Sequence, residues 1–127
     1  MERTLAILKP DCLRRGLVGA VLSRIEAEGF TLRAAKMVRL TEAQARAFYA
    51  VHDGKGFFEG LIAFMCSGPC LTLILEREDA VAHWRAVLEP LRTEFECGPR
   101  ENLVHGSDSA ATSAFECACL FSGLEVP

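Results

Sequence analysis

Residues 4–11 read TLAILKPD, an apolar run that stops at a lysine, a proline and an aspartate. A short continuous apolar run that ends at such a turn signal is typical of a strand buried on both faces. The sequence therefore predicts a central strand from Thr4 to Leu8. A lysine that directly follows a buried strand can direct its side chain into a site, so Lys9 is the first candidate functional residue.

The rest of the chain alternates between helical and extended patterns. Apolar residues recur at the spacing of one helix face from Val18 to Ile25, and Gly29 ends that helix. Thr41 and Gln44 match a capping box, which opens the next helix. Extended patterns are predicted at residues 30–40, 71–75 and 103–104, and further helices at residues 58–65, at 79–88 and after the cap at 107–109.

The same patterns predict which residues face the core. Asp79 is expected to cap the helix that ends at Leu88. The inward residues are predicted to be Ala43, Ala47, Phe48 and Val51 in the helix opened by Thr41, and Ala111, Ala114, Phe115 and Ala118 in the final helix.

The predicted order of elements is β-α-β-(α-α)-β-α-β-α. Segregated helices over a small mixed or antiparallel sheet fit this order better than a doubly wound fold, so the predicted class is α+β. No internal repeat, low-complexity tract or linker interrupts residues 1–127, which predicts a single domain.

Composition narrows the functional classes. The chain has 127 residues, of which 50% are hydrophobic and 24% charged, enough to form a core without disulfides or metal. A net charge of -3 argues against a nucleic-acid coat or a polybasic membrane anchor. No apolar run approaches the roughly 20 residues of a membrane-spanning helix. The first residues, 1–4, lack a signal-peptide pattern, so a cytoplasmic location is expected.

Six cysteines lie at positions 12, 66, 70, 97, 117 and 119. They form no CxxC pair and no Cys/His grouping at zinc-finger spacing. Their expected role is that of small reduced hydrophobes. The alternative, a cysteine-based metal or redox site, predicts metal in the purified protein.

The strongest chemical signal is residues 102–109, Asn-Leu-Val-His-Gly-Ser-Asp-Ser. His105 ends a predicted strand just before a helix N-terminus, whose amides favour a nearby phosphoryl group. Gly106 is expected to keep the imidazole uncrowded. A histidine can attack a terminal phosphate if an acceptor holds the proton on its other nitrogen. Glu116 is that acceptor only if the polar face of the final helix turns towards the ring; otherwise His105 is a surface histidine.

Phosphoryl transfer also needs positioned cations, for which Lys9, Arg85, Arg92 and Arg100 are candidates. Taken alone, each of these four residues is better explained as a solvated charge. No GxxxxGKS/T or GxGxxG motif is present, which argues against P-loop and Rossmann nucleotide binding. Phe57 can lie against a flat ligand or belong to the core.

These motifs together resemble nucleoside diphosphate kinase, from Arg3 to about Phe121. The segment at 102–109 is the most specific, and residues 4–11, 15–19, 57–61 and 67–69 match other family motifs in the family's order. The resemblance implies a ferredoxin-like sandwich, with a four-stranded antiparallel sheet covered by helices. It also implies transfer of a γ-phosphate to a nucleoside diphosphate by a ping-pong mechanism through phosphorylated His105.

The resemblance assigns the remaining roles residue by residue. Glu116 and Ser107 would orient the ring of His105. The nucleotide contacts would come from Lys9 and Tyr49 at the γ-phosphate, Lys9 and Asn102 at the ribose, Phe57 and Leu61 at the base, and Arg85 and Arg92 at the phosphates. Mg²⁺ would be carried by the nucleotide phosphates, with no metal site made by the protein alone.

One departure from the family pattern concerns the segment after Glu89-Pro90. Family members usually carry a longer loop here, with a phosphate-holding Thr that has no counterpart in this chain. That loop usually packs between subunits, so we expect a homodimer or dimer-based tetramer rather than a hexamer. The alternative function is a non-catalytic nucleotide-binding module on the same fold, which has no need of the nucleophile.

Overall fold

A computed structural model describes all 127 residues. The four strands are β1 (Glu2–Leu8), β2 (Thr31–Val38), β3 (Cys70–Arg77) and β4 (Val104–Gly106). The six helices are α1 (Pro10–Arg14), α2 (Val18–Ala27), α3 (Glu42–Phe48), α4 (Phe58–Met65), α5 (Ala80–Glu94) and α6 (Ala110–Leu120). Two short 3₁₀ turns lie at Ala50–His52 and Gly123–Glu125.

The strands form one sheet in the order β2-β3-β1-β4, with every neighbouring pair antiparallel. The predicted α+β class with a four-stranded antiparallel sheet is confirmed, and the ferredoxin-like arrangement with it. β1 lies between β3 and β4, with Leu5 opposite Ile74 and Ile7 opposite His105. The candidate nucleophile, His105, therefore lies on β4, the strand that pairs directly with the predicted central strand β1.

The apolar run of β1 serves two cores. Ala6 and Leu8 pack into one hydrophobic cluster with Trp84 of α5. Leu5 and Ile7 point to the other face and pack into a second cluster with Phe48. Successive side chains of a strand point to opposite faces, so a stretch covered on both faces is apolar at successive positions, as from Leu5 to Leu8. None of the helices has both the length and the apolarity needed to cross a bilayer.

Helix α5 corrects two predictions. It does not stop at Leu88 but continues through Pro90 to Glu94. Burial of Leu91 in the core favours this continuation over the usual break at a proline. Asp79 precedes the helix in a left-handed conformation (φ 51°) and makes no side-chain cap. The N–H of Val81 instead donates to Glu2 Oε1 at 2.8 Å.

The predicted inward faces of two other helices are mostly wrong. Of the four residues predicted for the helix opened by Thr41, Phe48 is buried as expected, whereas Ala43 and Ala47 are exposed and Val51, just beyond the helix, is 78% exposed. In α6, the buried residues are Ser113 and Glu116, whereas Phe115 is 53% exposed. Ser113 donates to the carbonyl of Arg3 in β1, so α6 covers the sheet with its polar face.

Candidate active site

His105 is held by its neighbours in the fold. It pairs with Ile7 across the β1–β4 ladder, and its carbonyl accepts a hydrogen bond from Trp84 Nε1 at 3.0 Å. The adjacent Gly106 leaves room for that indole, because a Cβ added at Gly106 would lie 2.7 Å from Trp84 Cδ1. The glycine thus accommodates Trp84 rather than the imidazole, contrary to the expectation from sequence. The result is a fixed backbone at the candidate nucleophile.

One nitrogen of the imidazole is engaged and the other is not. His105 Nε2 lies 2.9 Å from Glu116 Oε1, which also accepts from Ser107 Oγ at 2.7 Å. Ser107 Oγ in turn accepts from the backbone N–H of Leu5 at 3.3 Å. An ionised carboxylate can only accept, so we assign the proton of a neutral imidazole to Nε2. Nδ1 makes no hydrogen bond with the protein and keeps its lone pair.

Two aromatic rings enclose the imidazole. The Phe48 and Tyr49 ring centroids lie 5.5 and 6.2 Å from the His105 ring, both in edge-to-face arrangements. The Tyr49 hydroxyl is buried and has no hydrogen-bond partner. Burial raises the pKa of Tyr49 well above its ordinary value, so the phenol stays protonated and able to donate.

Lys9 lies at the carboxyl end of β1, as predicted, and is only 7% exposed. Its Nζ donates to Asn102 Oδ1 at 2.7 Å. Burial, aided by the positive charge of Arg92, lowers the pKa of Lys9 from 10.5 to about 8. The ammonium therefore remains charged at neutral pH, although its pKa lies much closer to neutrality than that of an ordinary lysine.

Arg92 and Arg85 border the same region but are partly engaged. Arg92 donates from Nε to the carbonyl of Asn102 at 3.1 Å and from Nη2 to that of Val104 at 2.7 Å. Arg85 forms an exposed ion pair with Asp108 at 2.6 Å. Both guanidiniums are thus aligned beside β4 by groups of the protein itself.

Two neighbouring cavities collect the predicted site residues. A cavity of about 300 Å³ in front of the imidazole is lined by Lys9, Tyr49, Arg85, Arg92, His105 and Glu116, among others. A wider one of about 1000 Å³ is lined by Lys9, Phe57, Leu61 and Asn102, together with Arg14 and Arg100. Lys9 borders both. Ser107 borders neither, because it is fully buried behind Glu116.

The sequence interpretation missed the surroundings of this site. Phe48 is predicted only as a core residue, and the contacts of Phe48 and Trp84 with His105 depend on strand pairing that no local pattern reveals. Arg14 carried no signal at all. The structure contains no group of three or more His, Cys, Asp or Glu side chains suited to hold a metal ion, and all six cysteines are free.

Comparisons with known proteins give one consistent result. The family model described as "Nucleoside diphosphate kinase" matches residues 2–126. A nucleoside diphosphate kinase of Sorangium cellulosum is 46% identical, over 99% of this chain and 94% of that protein. The corresponding enzyme of Chlorobaculum parvum is 48% identical, over 99% and 97%.

Solved structures agree with this. A crystal form of the Aquifex aeolicus nucleoside diphosphate kinase superposes with a TM-score of 0.96 at 38% identity, covering 99% of both chains. The Halobacterium salinarum enzyme, solved in complex with CDP, gives a TM-score of 0.90 at 32% identity, covering 99% of this chain and 91% of the other.

Proposed function

The chain belongs to the nucleoside diphosphate kinase family, and we propose that it carries the transferred phosphate on His105 in a ping-pong reaction. As a member it is a nucleoside diphosphate kinase, a phosphotransferase acting on nucleotides. One observation supports the assignment to His105 above the others. The contact with Glu116 engages Nε2 and leaves the lone pair of Nδ1 free beside a cavity bordered by cations.

The proposed chemistry has two balanced halves. In the first, the Nδ1 lone pair forms a bond to the γ-phosphorus of a nucleoside triphosphate, and the bond from that phosphorus to the bridging oxygen breaks. Its electrons stay on the departing diphosphate. In the second, a terminal oxygen of another diphosphate attacks the phosphorus and His105 leaves with its electron pair. Glu116, supported by Ser107, holds the Nε2 proton and offsets the positive charge on the phosphorylated ring.

The two cavities suggest how a nucleotide lies. Lys9 borders both, so a ribose beside Lys9 and Asn102 directs the phosphates towards His105 and the base towards Phe57. Phe57 is 48% exposed, which suits stacking, and Leu61 lies beside it. Stacking accepts every base because each has a π-face. The remaining proposed phosphate donors are Tyr49, Arg85 and Arg92.

Mg²⁺ fits this site as an ion bound to the phosphates of the nucleotide. The carboxylates near the imidazole are already engaged: Asp108 by Arg85, Glu89 by Arg92, and Glu116 by His105. Mg²⁺ commonly binds through substrate phosphates and water rather than through a cage of protein ligands. We therefore propose that the ion neutralises phosphate charge without a dedicated protein ligand.

Intact-mass measurement after incubation with Mg-ATP tests the mechanism. We expect the protein to gain the mass of one phosphoryl group, stable at neutral to basic pH and lost on acid treatment. Addition of a nucleoside diphosphate should also remove it, with formation of the triphosphate. ATP binding without any adduct would overturn the proposal in favour of a nucleotide-binding module.

We propose further that the protein is a homodimer or dimer-based tetramer rather than a hexamer. Helix α5 continues without a break from Pro90 to Arg92, so the structure has no loop between these residues that could pack against another subunit. Both cited alignments span 136 positions against the 127 residues of this chain, so each contains at least nine positions that this chain lacks. Light scattering should give a mass of two or four subunits, and a six-subunit mass would contradict the prediction.

Two coarser proposals complete the description. Both hydrophobic clusters pack on one sheet, which supports residues 1–127 as a single domain. Six free cysteines suit a reducing compartment, which supports a cytoplasmic location. The partners we propose are nucleotides and copies of the same chain, with no role for nucleic acid or membrane.

A further inference from the structure

The wider cavity contains a cation with no assigned role, Arg100. Three basic side chains line this cavity, and two of them are engaged. Lys9 donates to Asn102, while Arg14 donates to Ser67 at 3.2 Å and to Glu101 at 3.1 Å. Arg100 forms no hydrogen bond or ion pair with any other residue of the chain. Its five donors are therefore available to a ligand in the cavity.

The Arg100 guanidinium packs closely against Gly60. A Cβ added at Gly60 would lie 2.5 Å from Arg100 Cζ and 2.9 Å from Nη1, closer than any real Cβ contact. The guanidinium thus lies against the backbone of α4 only because residue 60 has no side chain. This packing distinguishes Arg100 from a freely solvated surface arginine.

This contact between Arg100 and Gly60 lies beside Phe57, the residue proposed to stack on the base. Phe57 and Gly60 are three residues apart at the start of α4, so they are neighbours on the helix surface. Phe57 and Leu61 line the same cavity as Arg100. A base stacked on Phe57 therefore brings one of its edges near the guanidinium.

We propose that Arg100 is a specificity-determining residue, which donates two hydrogen bonds to the O6 and N7 atoms of a 6-oxopurine base and so favours guanine over adenine nucleotides. Guanine presents these two acceptors side by side, in the geometry that matches the fork of a guanidinium. Adenine presents N7 beside the donor N6, which leaves one arginine donor facing another. The inference rests on the proposed function, since it places the base against Phe57.

The stacking platform and the arginine act differently on the choice of base. Phe57 stabilises all bases alike, whereas Arg100 adds a contact that only some bases complete. Because Arg100 is exposed, the added preference lies at the lower end for a bidentate contact, about five-fold. The enzyme therefore accepts every nucleotide, but the phosphorylated enzyme transfers its phosphate most readily to the diphosphates of guanosine and inosine.

Discharge of the phosphorylated enzyme tests this proposal. The protein is phosphorylated with Mg-ATP, freed of nucleotide, and mixed with limiting GDP, IDP or ADP, and the rate constant kcat/KM is measured for each acceptor. Arg100→Ala should lower the value for GDP and IDP by about five-fold and that for ADP by less than about two-fold. Hypoxanthine keeps O6 and N7 but lacks the amino group of guanine, so IDP must follow GDP.

Two further variants separate shape from charge. Arg100→Lys keeps the charge without the planar fork and should also lose the preference for GDP over ADP. Arg39→Ala removes an exposed arginine that lines a different cavity and should leave the preference unchanged. An equal fall for all three acceptors, or an unchanged ratio in Arg100→Ala, would overturn the role in base selection. Failure of Mg-ATP to phosphorylate the wild-type protein would instead contradict the proposed function.

Discussion

The variant His105→Ala is expected to lose phosphotransfer by about four orders of magnitude or more, because the covalent step has no second nucleophile. His52 also lines the cavity, but its Nδ1 lies 3.0 Å from Lys55 Nζ and no carboxylate contacts its ring. His83 is paired with Glu28 and does not line the cavity. The fold should survive the substitution. Trp84 bonds the carbonyl of residue 105 rather than its side chain, and the β1–β4 ladder needs only the backbone. A coupled assay measures the loss of turnover, and intact mass measures the loss of the phosphorylated enzyme.

His83→Ala is the matched control for this prediction. His83 Nε2 lies 2.8 Å from Glu28 Oε1, so it too is a partly buried histidine paired with a carboxylate. It packs on Phe30 at the far end of α5 from Arg92 and touches none of the proposed site residues. We expect this variant to keep near-normal turnover and phosphorylation by ATP. Normal turnover in His105→Ala, with the variant folded, would refute the proposed mechanism.

The fold was largely predictable where local pattern and burial agree. The apolar run at residues 4–8 predicts the central strand, which the structure extends by two residues to Glu2, because a strand covered on both faces is apolar at successive positions. The prediction for α5 failed at Pro90 because tertiary burial of Leu91 outweighs the local preference for a break. The prediction for α6 failed because α6 turns a polar face towards the sheet at the candidate site, where Ser113 and Glu116 are buried.

The candidate site divides in the same way. Residues 102–109 are contiguous, so their motif nominates His105 and Ser107 as candidates without knowledge of the fold. Glu116 follows from helical spacing and needed only the orientation of α6, which the structure supplies. Phe48 and Trp84 depend on packing between distant elements. The sequence shows Arg100 only as a charge near the histidine. Its packing against Gly60 is a tertiary contact, which no local pattern predicts.

Lys9 illustrates the cost in stability of a buried cation that is proposed to bind the nucleotide. Burial lowers its pKa from 10.5 to about 8, so below pH 8 the folded protein holds a charge that would be more stable in water. Each pH unit between these two values corresponds to about 1.4 kcal/mol, or about 3 kcal/mol in total. The bond from Nζ to Asn102 returns part of this, about 1 kcal/mol. The net penalty of keeping Lys9 charged is then about 2 kcal/mol.

The variant Lys9→Met should therefore be more stable and much less active. We expect the free energy of unfolding to rise by about 2 kcal/mol near neutral pH, because the thioether fills the buried space without a charge. Turnover should fall by about two orders of magnitude or more, since a preorganised donor to the phosphates and ribose is lost. Lys36→Met, which removes a partly exposed lysine paired with Glu125, should change neither quantity much.

The pH dependence of unfolding separates this explanation from improved packing alone. The unfolded chain retains the Lys9 proton up to about pH 10.5, whereas the folded chain releases it near pH 8. Wild-type stability must therefore rise with pH between these values relative to Lys9→Met, because the unfolded state binds more protons. Denaturant unfolding at fixed protein concentration should show the advantage of the variant in full below pH 8 and nearly lost by about pH 10. An advantage independent of pH would mean that packing is its cause, and a less stable variant at neutral pH would mean that the bond to Asn102 outweighs the burial of the charge.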